Sequence, residues 1–183
     1  MKKYILIAIM ALVGICANAQ YRYYAGGTLG FWHSTQNDVS TNTFTILPEL
    51  GMSLDEHWGI GTTIGYSLNR INDLDITSHL FEFNPYARYT YFRTDNGLLN
   101  LFVDGTVGLG LGHTTDSGTA CTWQIGVTPG IAINLSDRFC IAGHVGFIGY
   151  KGANNAAKAG GHAEEGGILL NGQNLTLSFY VNF

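Results

Sequence analysis

The chain has 183 residues and a formal charge of −4, with 46% hydrophobic residues and only 12% charged ones. That is enough for one domain, carries about half the charge of an ordinary soluble domain and offers no basic surface for nucleic acid. Beyond the N-terminal segment no run approaches 18 consecutive apolar residues, which excludes a helical membrane span.

Residues 1–19 read as a secretory signal peptide: Lys2 and Lys3 form a basic start, residues 4–15 an apolar stretch, and Ala17-Asn18-Ala19 a small-x-small cleavage site. Cys16 raises a lipoprotein reading, but Ile15 is bulkier than the small residue usual before a lipidated cysteine. Cleavage would remove Lys2 and Lys3, leaving residues 20–183 as the mature domain with a charge of −6.

Eight strands of period two follow. The first (21–32) sets Tyr23, Ala25 and Leu29 against Tyr24, Gly26 and Thr28; the second (41–54) sets Ile46, Leu50 and Met52 against Thr45, Glu49 and Gly51. The third (58–68) sets Trp58, Ile60, Ile64 and Tyr66 against glycine, threonine and serine. The fourth (79–93) sets Phe81, Phe83, Tyr89 and Tyr91 against Glu82, Asn84, Tyr86 and Arg88. In the fifth (98–113), Leu101, Val103, Val107, Leu109 and Leu111 oppose Asp104, Thr106 and three glycines. The sixth (119–135) and seventh (139–150) continue the pattern. The eighth sets Leu175, Leu177, Phe179, Val181 and Phe183 against Thr176, Ser178, Tyr180 and Asn182.

The connections alternate in length. Asp55-Glu56-His57, Asp95-Asn96-Gly97 and Ser136-Asp137-Arg138 are tight, whereas those near 33–41, 69–79, 113–119 and 151–172 are longer and polar. Short turns at one rim and long loops at the other predict an eight-stranded antiparallel up-and-down transmembrane β-barrel. A lumen of eight strands is narrow, so the small polar face belongs inside and the large apolar face meets lipid, with Trp58, Tyr89, Tyr91 and Phe139 as an aromatic girdle beside the tight turns. A soluble carrier would need the opposite assignment.

In its strand pattern, its alternating turns and its last strand ending on Phe183, the chain resembles the small bacterial outer-membrane barrels of the OmpA/OmpX type, within the outer membrane β-barrel domain family. The resemblance implies integral insertion in the outer membrane of a Gram-negative-type cell with both termini periplasmic; because the chain ends with the barrel strand, no peptidoglycan-binding domain is expected after it. It also implies that Leu177, Phe179, Val181 and Phe183 are the signal read by the barrel-assembly machinery. Expected partners are outer-membrane lipid and that machinery, with a possible extracellular partner at the loops and no nucleic acid.

Three-residue loops at all three tight turns would put Arg88 opposite Asp104, both inward, with Glu49 and His144 at similar height. A buried charge left unpaired costs several kcal/mol, so these four residues are expected to form an interior polar core. It would act as a plug, or alternatively as an ion gate. Cys140 is expected inside near Asn134 and Cys121 outside near the opposite rim, too far apart for a disulfide. The glycine runs 59–65 and 105–113 precede no helix and read as lumen packing rather than a phosphate loop. His79 and His113 face each other on the lipid side, while Ser78 points inward, so no serine–histidine hydrolase cluster forms. In the last long loop His162, Glu164 and Glu165 could touch a metal, but the glycine flanks predict a mobile, solvated segment. No cofactor or metal is expected. The sequence favours a non-enzymatic surface protein or envelope component; a narrow porin-like channel comes second and a lipid A-modifying hydrolase third.

Overall fold

The computed structural model describes residues 22–36, 39–71, 76–169 and 175–183; the signal-peptide reading of residues 1–19 lies outside them. Among the described residues ten strands run in chain order: β1 (Arg22–Gln36), β2 (Val39–Ser53), β3 (Trp58–Ile71), β4 (Ile76–Arg93), β5 (Leu99–Thr114), β6 (Gly118–Asn134), β7 (Phe139–Val145), β8 (Phe147–Ala153), β9 (Glu165–Leu169) and β10 (Leu175–Asn182). One short helix, α1 (Asn155–Ala159), separates β8 from β9. Each strand pairs antiparallel with its neighbours, and β10 closes on β1 through Tyr24↔Asn182 to Gly27↔Phe179. The strand ending on Phe183 is therefore no raw edge: Tyr23 and Phe183 exchange two backbone hydrogen bonds of 3.0 and 2.9 Å.

The ten strands make eight staves. Gly146, at φ +73°, interrupts what is otherwise one stave, β7 continuing as β8. β10 pairs with β7 and β9 with β8, so the last stave is divided in the same way. The faces are as expected: Leu109, Ile125, Phe179 and Val107 are more than half exposed on the outside, where lipid would cover them, while Tyr24, Tyr86, Phe102 and Tyr180 are buried inside.

Two expectations are corrected. The strands run past the membrane-spanning length into three of the long loops: β1 reaches Gln36, β3 reaches Ile71, and only 115–117 separate β5 from β6. Threonine, serine and asparagine there pair across the hairpins, as in Thr43↔Asn69 and Ser78↔Thr114, which satisfies backbone groups that a loop would leave to water. The turn at 95–98 has four residues, not three: Thr94 N–H bonds Leu99 C=O, and Arg93 opposes Asn100. A bulge between Thr90 and Phe92 takes up the extra residue and restores the register, so Arg88 still faces Asp104.

The last loop is a third correction. Its first part is built in, while residues 163–169 are exposed as expected: Asn154 caps α1 by accepting from Ala157 N–H (2.9 Å). Its amide also accepts from Cys121 N–H at 3.0 Å and donates to Thr119 C=O at 2.9 Å. Ala157 packs fully buried with Leu80 and Ala120, and Asn69 donates to Gly160 C=O at 2.8 Å. The loop thus folds back over the barrel mouth.

Candidate functional site, a polar core in the lumen

Four glycines prepare the lumen. Tyr24 stands opposite Gly51, Tyr86 opposite Gly61, Phe102 opposite Gly130 and Tyr180 opposite Gly26. A Cβ at any of the four would strike the facing ring, so each glycine is the space into which an aromatic side chain lies. The result is a collar of four rings at one height.

Arg88 sits inside that collar. Its guanidinium carbon lies 4.1 Å from the Phe102 centroid, 5.2 Å from Tyr86, 5.7 Å from Tyr24 and 5.9 Å from Tyr180, within cation–π range. It makes a fork-like pair with Asp104: Nε donates to Oδ1 at 2.7 Å and a terminal nitrogen to Oδ2 at 2.8 Å. The same terminal nitrogen is 3.6 Å from Glu49 Oε1. His144 Nε2 reaches Asp104 Oδ2 at 3.0 Å, and its ring stands edge-on to Phe102.

Glu49 is held separately. Tyr86 donates its hydroxyl to Oε1, Tyr180 donates to Oε2 at 2.9 Å, and Tyr24 bonds the Tyr86 hydroxyl at 2.7 Å. The structure therefore brings Arg88, Asp104, Glu49 and His144 into one network, and adds three tyrosines and Phe102 to it. The tyrosines are legible in the sequence as inward positions, but period alone does not show that their rings fill the lumen. The signal that could have found them is a large aromatic on the glycine face directly opposite a glycine.

The collar divides the interior. On the short-turn side is an open vestibule of about 870 Å3, with Arg88, Phe102, Tyr180 and Cys140 in its walls. On the other side is a smaller chamber of about 340 Å3 bordered by Glu82, Asn84, Gln124 and His162. Glu82 accepts from Ser67 at 3.1 Å, and Gln124 donates to Asn84 at 3.0 Å. Cys121 and Cys140 are both free thiols, and Cys140 faces Asn134. Ser78 is buried against Thr114 at 3.0 Å, whereas the adjacent His79 is exposed on the other face.

The cap has its own electrostatics. Lys158, 2.6 Å away, and the Tyr150 hydroxyl hold the Glu164 carboxyl below its usual range. Burial pushes His162 below the ordinary imidazole value, against a smaller opposing pull from Glu82. His162 therefore stays neutral in the closed cap and takes a proton more readily when the cap opens. Its contribution is intact above about pH 6.5 and is lost as the pH falls through the depressed value. Glu164 acts in the same direction at lower pH. Hydrogen-exchange protection at residues 156–162 should fall between pH 7.5 and 5.5, and His162→Gln should remove most of that dependence. Equal protection at both pH values would contradict this.

A family model for the outer membrane protein beta-barrel domain matches residues 5–183. Among solved structures, the crystal structure of Neisserial surface protein A superposes with a TM-score of 0.55 at 12% identity, over 90% of this chain and 98% of that one. OmpT, an outer membrane protein of Vibrio cholerae, gives a TM-score of 0.31 at 12% identity, over 90% of this chain and 51% of that one. No curated protein matches the sequence.

Proposed function

The chain belongs to the outer membrane protein beta-barrel domain family, and from that premise we propose that it is a non-enzymatic, non-conducting surface protein of the bacterial outer membrane. It reaches that membrane through a cleaved signal peptide at residues 1–19, and its barrel supports the loops that meet the outside. The observation that carries this reading is the collar. Arg88, Asp104, Glu49 and three tyrosines satisfy one another across the lumen, and charges paired in this way resist separation.

Enzymatic chemistry finds little support in the same geometry. The core carboxylates are engaged by Arg88, His144 and tyrosines, and Ser78 and His79 lie on opposite faces, so the serine–histidine arrangement of a lipid hydrolase does not form. Leu177, Phe179, Val181 and Phe183 all project outward and exposed, where an insertion machinery could read them.

Planar-bilayer recording tests the reading. The native protein should be electrically silent. Arg88→Ala, which empties the middle of the collar, should admit brief ion passage. Steady, discrete openings of the native protein would overturn the closed reading in favour of a narrow channel.

A further inference from the structure

One pair of side chains on the lipid face has no place in a plain apolar exterior. His79 on β4 and His113 on β5 stand directly opposite in register, and both are exposed. Residues opposite each other on an antiparallel pair have Cβ atoms about 4.5–5.5 Å apart. Two imidazoles at that spacing can converge on one ion at metal–nitrogen distances of about 2.0–2.1 Å.

Their height follows from the girdle. Trp58 and Tyr89, with centroids 4.9 Å apart, mark the short-turn interface. His79 lies ten residues from Tyr89 along β4, roughly 33 Å of strand at about 3.3 Å per residue. A tilt of about 40° reduces that to roughly 25 Å, the height of the apolar band of such barrels. The pair therefore lies at the outer headgroup level, where water and ions reach it.

Tyr66 on β3 supplies the remaining element. Its hydroxyl is 2.7 Å from His79 Nδ1, with the two rings tilted at 32°. In the tautomer that donates from Nδ1 to the tyrosine oxygen, the Nε2 lone pair points free. Metal-binding histidines are commonly oriented through such a bond on their other ring nitrogen. Among the described residues no group of three metal-ligating side chains forms, so the protein offers two nitrogen ligands and leaves the other positions to water.

We propose that His79 and His113, with Tyr66 orienting His79, form an outer-rim site for a divalent transition-metal ion of the zinc or copper class. Imidazole suits these ions, whereas calcium and magnesium demand oxygen ligands.

The test uses the refolded protein in phosphate-free detergent micelles, with Zn2+ titrated against a chromophoric chelator and Cu2+ followed by electron paramagnetic resonance. One equivalent should bind, with a two-nitrogen signature for Cu2+. His79→Ala and His113→Ala should each weaken binding at least tenfold, and Tyr66→Phe by about tenfold. His57→Ala and His162→Gln should leave it unchanged. His57, His79 and His113 are exposed and Tyr66 and His162 half-buried, so native heat-modifiable gel mobility should be retained and is measured on every variant to exclude misfolding as the cause. Binding that survives both histidine substitutions, or that follows Cys121→Ser instead of them, overturns the proposal.

Discussion

Asp104→Ala is expected to cost the folded barrel about 3–5 kcal/mol, the usual penalty for removing one partner of a buried ion pair. At a urea dependence of about 2 kcal/mol per molar, that is a midpoint lowered by roughly 2 M. The magnitude follows from what Arg88 would keep. Its two short bonds to Asp104 vanish, and Glu49 at 3.6 Å is already committed to Tyr86 and Tyr180. The four rings around the guanidinium exclude water without replacing a carboxylate. His144, 3.5 Å from the same terminal nitrogen, would lose its acceptor as well. Asp104→Asn keeps an acceptor and loses the charge, so its effect should fall between native and alanine. Urea unfolding of the refolded protein, read by tryptophan emission and heat-modifiable mobility, measures both. An alanine effect below about 1 kcal/mol would mean that the pair is solvated and that the collar is not what closes the lumen.

Much of that site is legible in the sequence, for a physical reason. Period-two alternation assigns each residue to a face, and tight turns fix which residues face each other. Arg88 and Asp104 meet on that count although the turn at 95–98 is one residue longer than expected, because the bulge near Tyr91 restores the register. Phe102 was not legible. Period two puts it on the inward face between outward Leu101 and Val103, but in a continuous apolar run nothing marks so large a ring as a lumen residue rather than one more lipid-facing one. The cap was illegible for another reason. Five helical residues make little more than one turn, too short for a 3.6-residue period to register, and their order comes from Asn154, Asn69 and the small space beside Leu80 rather than from local preference. The strand extensions past the membrane were hidden because Thr, Ser and Asn mark loops and also pair readily in exposed hairpins.

Leu109→Arg should destabilise the barrel by about 2–4 kcal/mol, whereas the same change at Leu135 should cost about 0–1 kcal/mol. The two leucines are almost equally exposed, at 59% and 61%, so burial within the protein cannot separate them. Depth in the bilayer does. On β5, Val103 stands level with Tyr89 of the short-turn girdle and His113 level with the outer histidine pair, so Leu109 lies near the middle of the apolar band, opposite Phe83 and Trp123. Leu135 adjoins the turn at Ser136, where an arginine can extend into water. Reversible unfolding in phospholipid vesicles measures the difference. Equal effects at the two positions would mean that no apolar layer covers Leu109 and would reverse the assignment of the two faces. A gap of at least 2 kcal/mol would tie the outward leucines, isoleucines and aromatics to lipid, leaving the glycine face and its collar as the interior.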